Sequence, residues 1–318
     1  MNEPWLNEDE LLLETAEISP MVVAEILKAM KLKAESTTAH LLTPLLRPSA
    51  LQFTRLLVEF DLASKYSGAT GASQRMLPHF FDDLEVRGAE QTPASGPLIL
   101  AANHPGGMDF IAIAAHAGRD DLKVITSEVG FLQALPHGQK FMIPLPNDAR
   151  ARFGALKEAI RHLENGGTLL LFPTGSIDPD PYYFANAAAH IERWSQSLEV
   201  FTRKVPQVNI QPIITSHAIR ERLLFNNLLV QRQKTRVDRQ RLAEFLQVMQ
   251  MVLLRGERFH LKISFGEALR MAEGGSESTQ DFYARIKQSA HALLAEHLRL
   301  HPPVRQAVWA EQKAHFRS

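Results

Sequence analysis

A histidine followed five residues later by an aspartate stands at the end of an apolar run. Pro97-Leu-Ile-Leu-Ala-Ala102 leads straight into Asn103-His-Pro-Gly-Gly-Met-Asp109. The run reads as a buried strand, and α/β folds place their ligands at the carboxyl ends of such strands. Pro105, Gly106 and Gly107 predict a tight turn without side-chain bulk, where a substrate can approach the backbone. Asp109 then opens a helix over Phe110–His116 and can bend back to His104. A carboxylate on one ring nitrogen fixes the tautomer and stabilises the imidazolium formed when the other nitrogen takes a proton. Such a dyad would activate a hydroxyl, with free backbone N–H groups at the helix start facing a developing oxyanion. Read alone, the pair is equally well a helix-capping Asp beside a satisfied His. His116 and Asp121 share the spacing without the glycine turn and are read as chance.

The elements that must position these residues follow from pattern. Strands are expected at 84–88, 97–102, 122–126, 141–145, 168–172, 208–214 and 260–265, with helices between them. Helices are clearest from Ala149 to Glu164, ended by Gly166-Gly167, and from about Thr279 to Leu300. Alternation of this kind implies an α/β fold with a mixed, largely parallel sheet flanked by helices. Residues 1–83 read as a helical N-terminal segment and 84–318 as the α/β domain. In the N-terminal segment, Asn7 with Glu10 fits a capping box, Pro20 is expected to split the first helix, and Ser49 to cap another. Ser67-Gly-Ala-Thr-Gly-Ala-Ser73 reads as a flexible linker, followed by a short helix from Gln74 to Asp82.

Two further turns supply context. The strand at 168–172 ends in Phe172-Pro-Thr-Gly-Ser176, and Pro212 lies inside the apolar strand at 208–214. The order strand–Asn-His-x4-Asp, strand–Phe-Pro-x-Gly, strand with internal Pro resembles the glycerolipid acyltransferase family, of the lysophosphatidic acid acyltransferase type. The resemblance covers about residues 84 to 217, including the lead-in Val86-Arg-Gly88 and Gly96-Pro97. It implies transfer of a fatty acyl chain from a thioester, acyl-CoA or acyl-carrier protein, to the hydroxyl (or amine) of a lipid or polar acceptor. His104 matches the general base and Asp109 its orienting carboxylate. Asn103, Gly106, Gly107, Phe172, Pro173, Thr174, Gly175 and Ser176 match the positions around the substrate, and Pro212 a structural block. The thioester is a co-substrate, and no cofactor or metal is implied.

The sequence departs from the family in one place. Its third block usually reads Phe-Pro-Glu-Gly-Thr-Arg, whereas Thr174, Ser176 and Ile177 stand here at the Glu, Thr and Arg positions. The Arg that usually ends the second block falls at Asn147. The guanidinium groups that would grip a phosphate bidentately are missing, so a glycerol-phosphate acceptor is not expected. Arg150 and Arg152, with Lys157 and Arg161, read as the solvated face of a helix rather than as substitutes. Asp178 and Asp180 form an acidic loop that could receive acceptor hydroxyls or a cation, although turn residues of a Pro-rich loop are the commoner reading. His291, His297 and His301 read as an exposed helix face, and Trp194, Tyr182, Tyr183 and Phe184 as core. Two other classes stay open: a non-catalytic acyl-chain binder that keeps the fold, and a hydrolase that uses the same dyad on a thioester or ester.

Composition narrows the classes. In 318 residues, Lys+Arg and Asp+Glu number 35 each, which argues against a general nucleic-acid binder. There is no cysteine, so thiol nucleophiles, disulfides and Cys-ligated metals are excluded. No run of about 18 apolar residues is present, and the acidic start is not a signal sequence. A cytoplasmic protein is expected, in contact with a membrane only peripherally. Leu41–Leu46 and Leu51–Leu62 are the segments that would touch lipid, although docking on their own domain is the commoner fate of such faces.

Overall fold

Each apolar run read as a strand forms one, within two or three residues of the expected ends. The computed structural model describes residues 8–304 apart from 147, 255, 257 and 273–276. The chain starts with α1 (Glu8–Ala29), α2 (Thr37–Phe80), β1 (Phe81–Arg87) and β2 (Leu98–Ala102). It continues with α3 (Asp109–His116), β3 (Leu122–Ser127), α4 (Gly130–Gln133), β4 (Met142–Leu145), α5 (Ala149–Glu164) and β5 (Thr168–Leu171). Then come α6 (Ala187–Ile191), α7 (Ser197–Lys204), β6 (Asn209–Ser216), α8 (Glu221–Asn226) and α9 (Leu228–Gln231). The last elements are α10 (Arg236–Leu254), β7 (Phe259–Phe265), β8 (Leu269–Arg270) and α11 (Thr279–Leu300).

The sheet has the order β1-β7-β6-β2-β5-β3-β4, with β8 on β6. Pairing is parallel except where β6 meets β7 and β8. β2 lies between β5 and β6, both parallel to it, and is buried throughout. Leu98, Leu100 and Ala102 face one apolar core, shared with α2, α3 and α10. Ile99 and Ala101 face the other, shared with α5, α7 and α11. Covered faces on both sides explain why β2 reads as a continuous apolar run rather than an alternating one. The helices read best from sequence carry proper caps: the Asp148 side chain accepts from Arg150 and Ala151 N–H, and Ser278 from Asp281 N–H.

The N-terminal segment departs from expectation. α1 runs through Pro20 without breaking. Ser49 lies inside α2, and the helix is capped by Ser36 instead. Residues 67–73 are not a linker, and no separate helix runs from Gln74 to Asp82. α2 passes through them with one kink at Gly68, where φ is 65°, and ends at Phe80. Ala69, Thr70, Ala72 and Ser73 are buried. Thr70 and Gln74 donate to the carbonyls of Arg119 and Ala115, at and just beyond the end of α3. The small residues that suggested flexibility serve close helix packing. The capping pair with Asn7 lies outside the described residues. α2 buries Val58, Phe60 and Leu62 but leaves Leu41 and Leu45 71% and 69% exposed. Among the described residues no helix is long and apolar enough to cross a membrane.

One buried group gives the fold a pH signature. His297 of α11 is not on an exposed face. It is fully buried, and its two ring nitrogens bond the hydroxyls of Ser216 and Ser264. Burial, then the charges of His301 and His217, push its pKa down to about 3. The folded state therefore refuses a proton that the unfolded chain accepts near the ordinary imidazole value. This contribution to stability is complete above that value and is lost as pH falls toward 3, by up to about 1.4 kcal/mol per pH unit. Urea melts at descending pH should show that slope, reduced in His297→Gln. Equal slopes in the two proteins would exclude His297 as the source.

Candidate active site

The site grows from the carboxyl end of β2. Asn103 continues the β2–β6 pairing through its side chain: Nδ2 donates to the Thr215 carbonyl (2.9 Å), and Oδ1 accepts from the Thr215 N–H (2.7 Å). The Asn103 amide is thereby spent inside the protein. The next residue is fixed by its backbone. His104 N–H donates to Asp178 Oδ2 (3.0 Å), and the Asp178 N–H donates back to the His104 carbonyl (2.7 Å).

The His104 side chain then has two neighbours. Nδ1 lies 3.2 and 3.1 Å from the two carboxylate oxygens of Asp109, the first residue of α3. Phe172 stacks on the imidazole with ring centroids 4.0 Å apart. With Nδ1 engaged by Asp109, Nε2 is the nitrogen left for a reacting group. Burial opposes the imidazolium, but Asp109, Glu244 and Asp178 outweigh it and hold the His104 pKa above its ordinary value. Asp109 is buried, which pushes its own pKa up. His104 and the N–H groups of Gly106 and Phe110 pull it back.

Glu244, from α10, was not expected here. Its Oε1 accepts the N–H groups of Gly107 and Met108. With those of Gly106 and Phe110 held by Asp109, the amides read from sequence as free for an oxyanion are already engaged. The two glycines have the same explanation. A Cβ at Gly107 would sit 3.3 Å from Glu244 Oε1, and one at Gly106 would sit 3.0 Å from the Ala218 Cβ. They admit a carboxylate and a neighbouring loop, so the turn is packed rather than open to substrate. Burial, and then Asp109, push Glu244 up to about 7. The available signal was a polar stripe, Gln240, Glu244 and Gln247, on a helix that also carries Leu242, Ala243 and Val248.

Asp178 and Asp180 are more than turn residues. Both are buried. Asp178 ties His104 to His190, whose Nδ1 lies 3.1 Å from Oδ1. Asp180 accepts three backbone N–H groups, from Tyr182, His217 and Ala218. Pro173 is buried, whereas Gly175 and Ser176 are exposed and Thr174 donates to the Ser176 carbonyl. Ile177, at the family's Arg position, is buried. Arg150 and Arg152 are exposed at the start of α5, and Asn147 lies outside the described residues. His116 and Asp121 do not meet: His116 bonds the Ala112 carbonyl, and Asp121 pairs with Arg119. Tyr183, Phe184 and Trp194 are core. No group of three potential metal ligands exists among the described residues.

Residues 83–216 match the family model described as Acyltransferase. His104, Asp109, Phe172 and Asp178 fall inside the matched span, whereas Gln240 and Glu244 lie beyond it. Among solved structures, the chain is similar to the 1-acyl-sn-glycerophosphate (LPA) acyltransferase, PlsC, from Thermotoga maritima. The TM-score is 0.46 at 16% identity, over 92% of this chain and 96% of that one. No curated protein matches the chain.

Proposed function

We propose that this protein is an acyltransferase that moves a fatty acyl group from a thioester, acyl-CoA or acyl-carrier protein, to a hydroxyl (or amine) of a lipid or polar acceptor. His104 Nε2 takes the acceptor proton while Asp109 holds the other ring nitrogen. The acceptor oxygen attacks the thioester carbonyl directly and the C–S bond breaks. The thiolate leaves with the proton from His104, so no acyl-enzyme forms. Phe172 fixes the ring face, and the exposed turn at Thr174, Gly175 and Ser176 borders the acceptor. Asn103, Gly106 and Gly107 shape the turn through their internal contacts. The observation that carries this reading is a tautomer-fixing carboxylate on one side of His104 with the third-block Phe172 stacked on its face.

With Thr174 and a buried Ile177 where the family carries Glu and Arg, the acceptor differs from glycerol phosphate. The α/β part, 84–318, carries the chemistry. The helical segment, 1–83, offers exposed Leu12, Leu13, Leu41 and Leu45 for peripheral contact with a membrane on the cytoplasmic side.

Labelled acyl-CoA and acyl-carrier protein, each incubated with a panel of hydroxyl and amine acceptors, test the reading. Transfer supports it. Release of free fatty acid alone, or binding without turnover, replaces it with a hydrolase or a binder. Lysophosphatidic acid as the best acceptor would refute the acceptor inference. The raised His104 pKa also fixes a sign: kcat/KM rises with pH through an acid limb that lies above the ordinary imidazole value. A limb below that value in the pH profile would contradict the environment assigned to His104.

A further inference from the structure

We infer that α10, beyond the matched acyltransferase span, sets the geometry of the catalytic turn, with Glu244 as its positioning residue. The inference rests on the proposed roles of His104 and Asp109.

Four residues of α10 share one face, and between them they bond three separate stretches of chain. Arg236 donates to the Ile177 carbonyl and to Gln240. Gln240 is fully buried, and its Nε2 donates to the carbonyls of Pro105 (3.0 Å) and Asp178 (2.8 Å). Glu244 takes the amides of Gly107 and Met108. Gln247 accepts from the Arg220 N–H (3.0 Å). Spacings of four, four and three residues place these side chains on one helical stripe. The stripe therefore crosses, in order, the third-block loop, the turn between His104 and α3, and the chain beyond β6.

The consequence concerns the distance from His104 to Asp109. These residues lie on either side of the Pro105–Met108 turn, which is held from within only by the Gly106 N–H bond to Asp109. Glu244 binds the last two amides of that turn, and Gln240 binds its first carbonyl. Glycine at 106 and 107 lets α10 come this close. A dyad held this way keeps its hydrogen-bond geometry only while α10 is seated. Glu244 also acts at a distance: its negative charge favours the imidazolium of His104. The charged groups that act on Glu244 are Asp109 and His104, from the start of α3 and the end of β2.

The test uses the full chain and the acyl-transfer assay, with His104→Ala run alongside. Glu244→Ala should lower kcat by about 10²-fold with a much smaller change in KM for acyl-CoA, because geometry and not binding is lost. Glu244→Gln keeps an accepting oxygen but no charge. It should recover most of kcat and move the acid limb of the pH profile to lower pH, as the support for the imidazolium is removed. A merely structural role would not move that limb. A folded Glu244→Ala with unchanged or higher kcat overturns the inference. Should Glu244→Ala not fold, Glu244→Gln decides, and an unshifted limb overturns it. Full activity in His104→Ala would instead sink the dyad itself, whatever the Glu244 variants do.

Discussion

Under the proposed mechanism, His104→Ala is expected to lower the rate of acyl transfer by about 10²- to 10⁴-fold while the protein still melts cooperatively. The expected loss is large because the neutral imidazole can take a proton from an acceptor near neutral pH. Asp109 cannot replace it. Its carboxylate is buried and bonded to the amides of Gly106 and Phe110, and it does not reach beyond the imidazole. The fold survives because His104 is anchored by its backbone. The two bonds to Asp178 use the His104 N–H and carbonyl, and both remain when the side chain is cut back. What disappears is the contact with Asp109 and the stack on Phe172. Steady-state kinetics beside a thermal melt check both halves. Undiminished turnover in a folded variant would remove His104 from the mechanism.

The largest effect on stability is expected at Asp180. Its fully buried carboxylate accepts from Tyr182 (2.9 Å), His217 (3.2 Å) and Ala218 (2.9 Å). Two of these amides belong to the chain leaving β6, where His217 has a φ of 62°. A β-carbon in that left-handed region costs on the order of 1 kcal/mol, which the Asp180 bonds help to offset. Burial pushes the Asp180 pKa up to about 6. The folded state therefore favours the protonated acid, and stability falls as pH rises through the window from the ordinary carboxylate value to about 6. Ionised Asp180 is costly, but an empty site is worse. Asp180→Ala leaves three buried N–H groups without a partner, at about 1–3 kcal/mol each. With the relief from removing a buried charge, the net loss is roughly 2–4 kcal/mol at neutral pH. Urea denaturation measures it directly. A variant as stable as the wild type would show that Asp180 does not hold the loop.

Much of this was legible in the sequence because it is local. The strand, turn and helix of 97–116 lie within twenty residues, and the dyad spans five. The caps Asp148 and Ser278 sit next to the helices they start, so both helix boundaries could be read directly. The strands around β2 were legible because both faces of the sheet are covered, which demands unbroken apolar runs.

Three cases show the physical reason why other readings failed or a residue went unnoticed. Pro-flanked Asp178 and Asp180 look like solvated turn residues until a loop folds over the end of β2. Residues 67–73 look like a linker until α3 packs on them. Glu244 looks like one more charge on a helix until α10 is laid against a turn 137 residues earlier in the chain. Local sequence reports propensity and periodicity; it does not report which distant backbone groups will need a partner. The sequence by itself thus determined the α/β fold, the His104–Asp109 pair and the absence of a phosphate-gripping Arg in the third block. Only the tertiary structure decided what holds the pair in place, because buried amides must be satisfied and long-range packing supplied Asp178, Asp180 and Glu244 to do it.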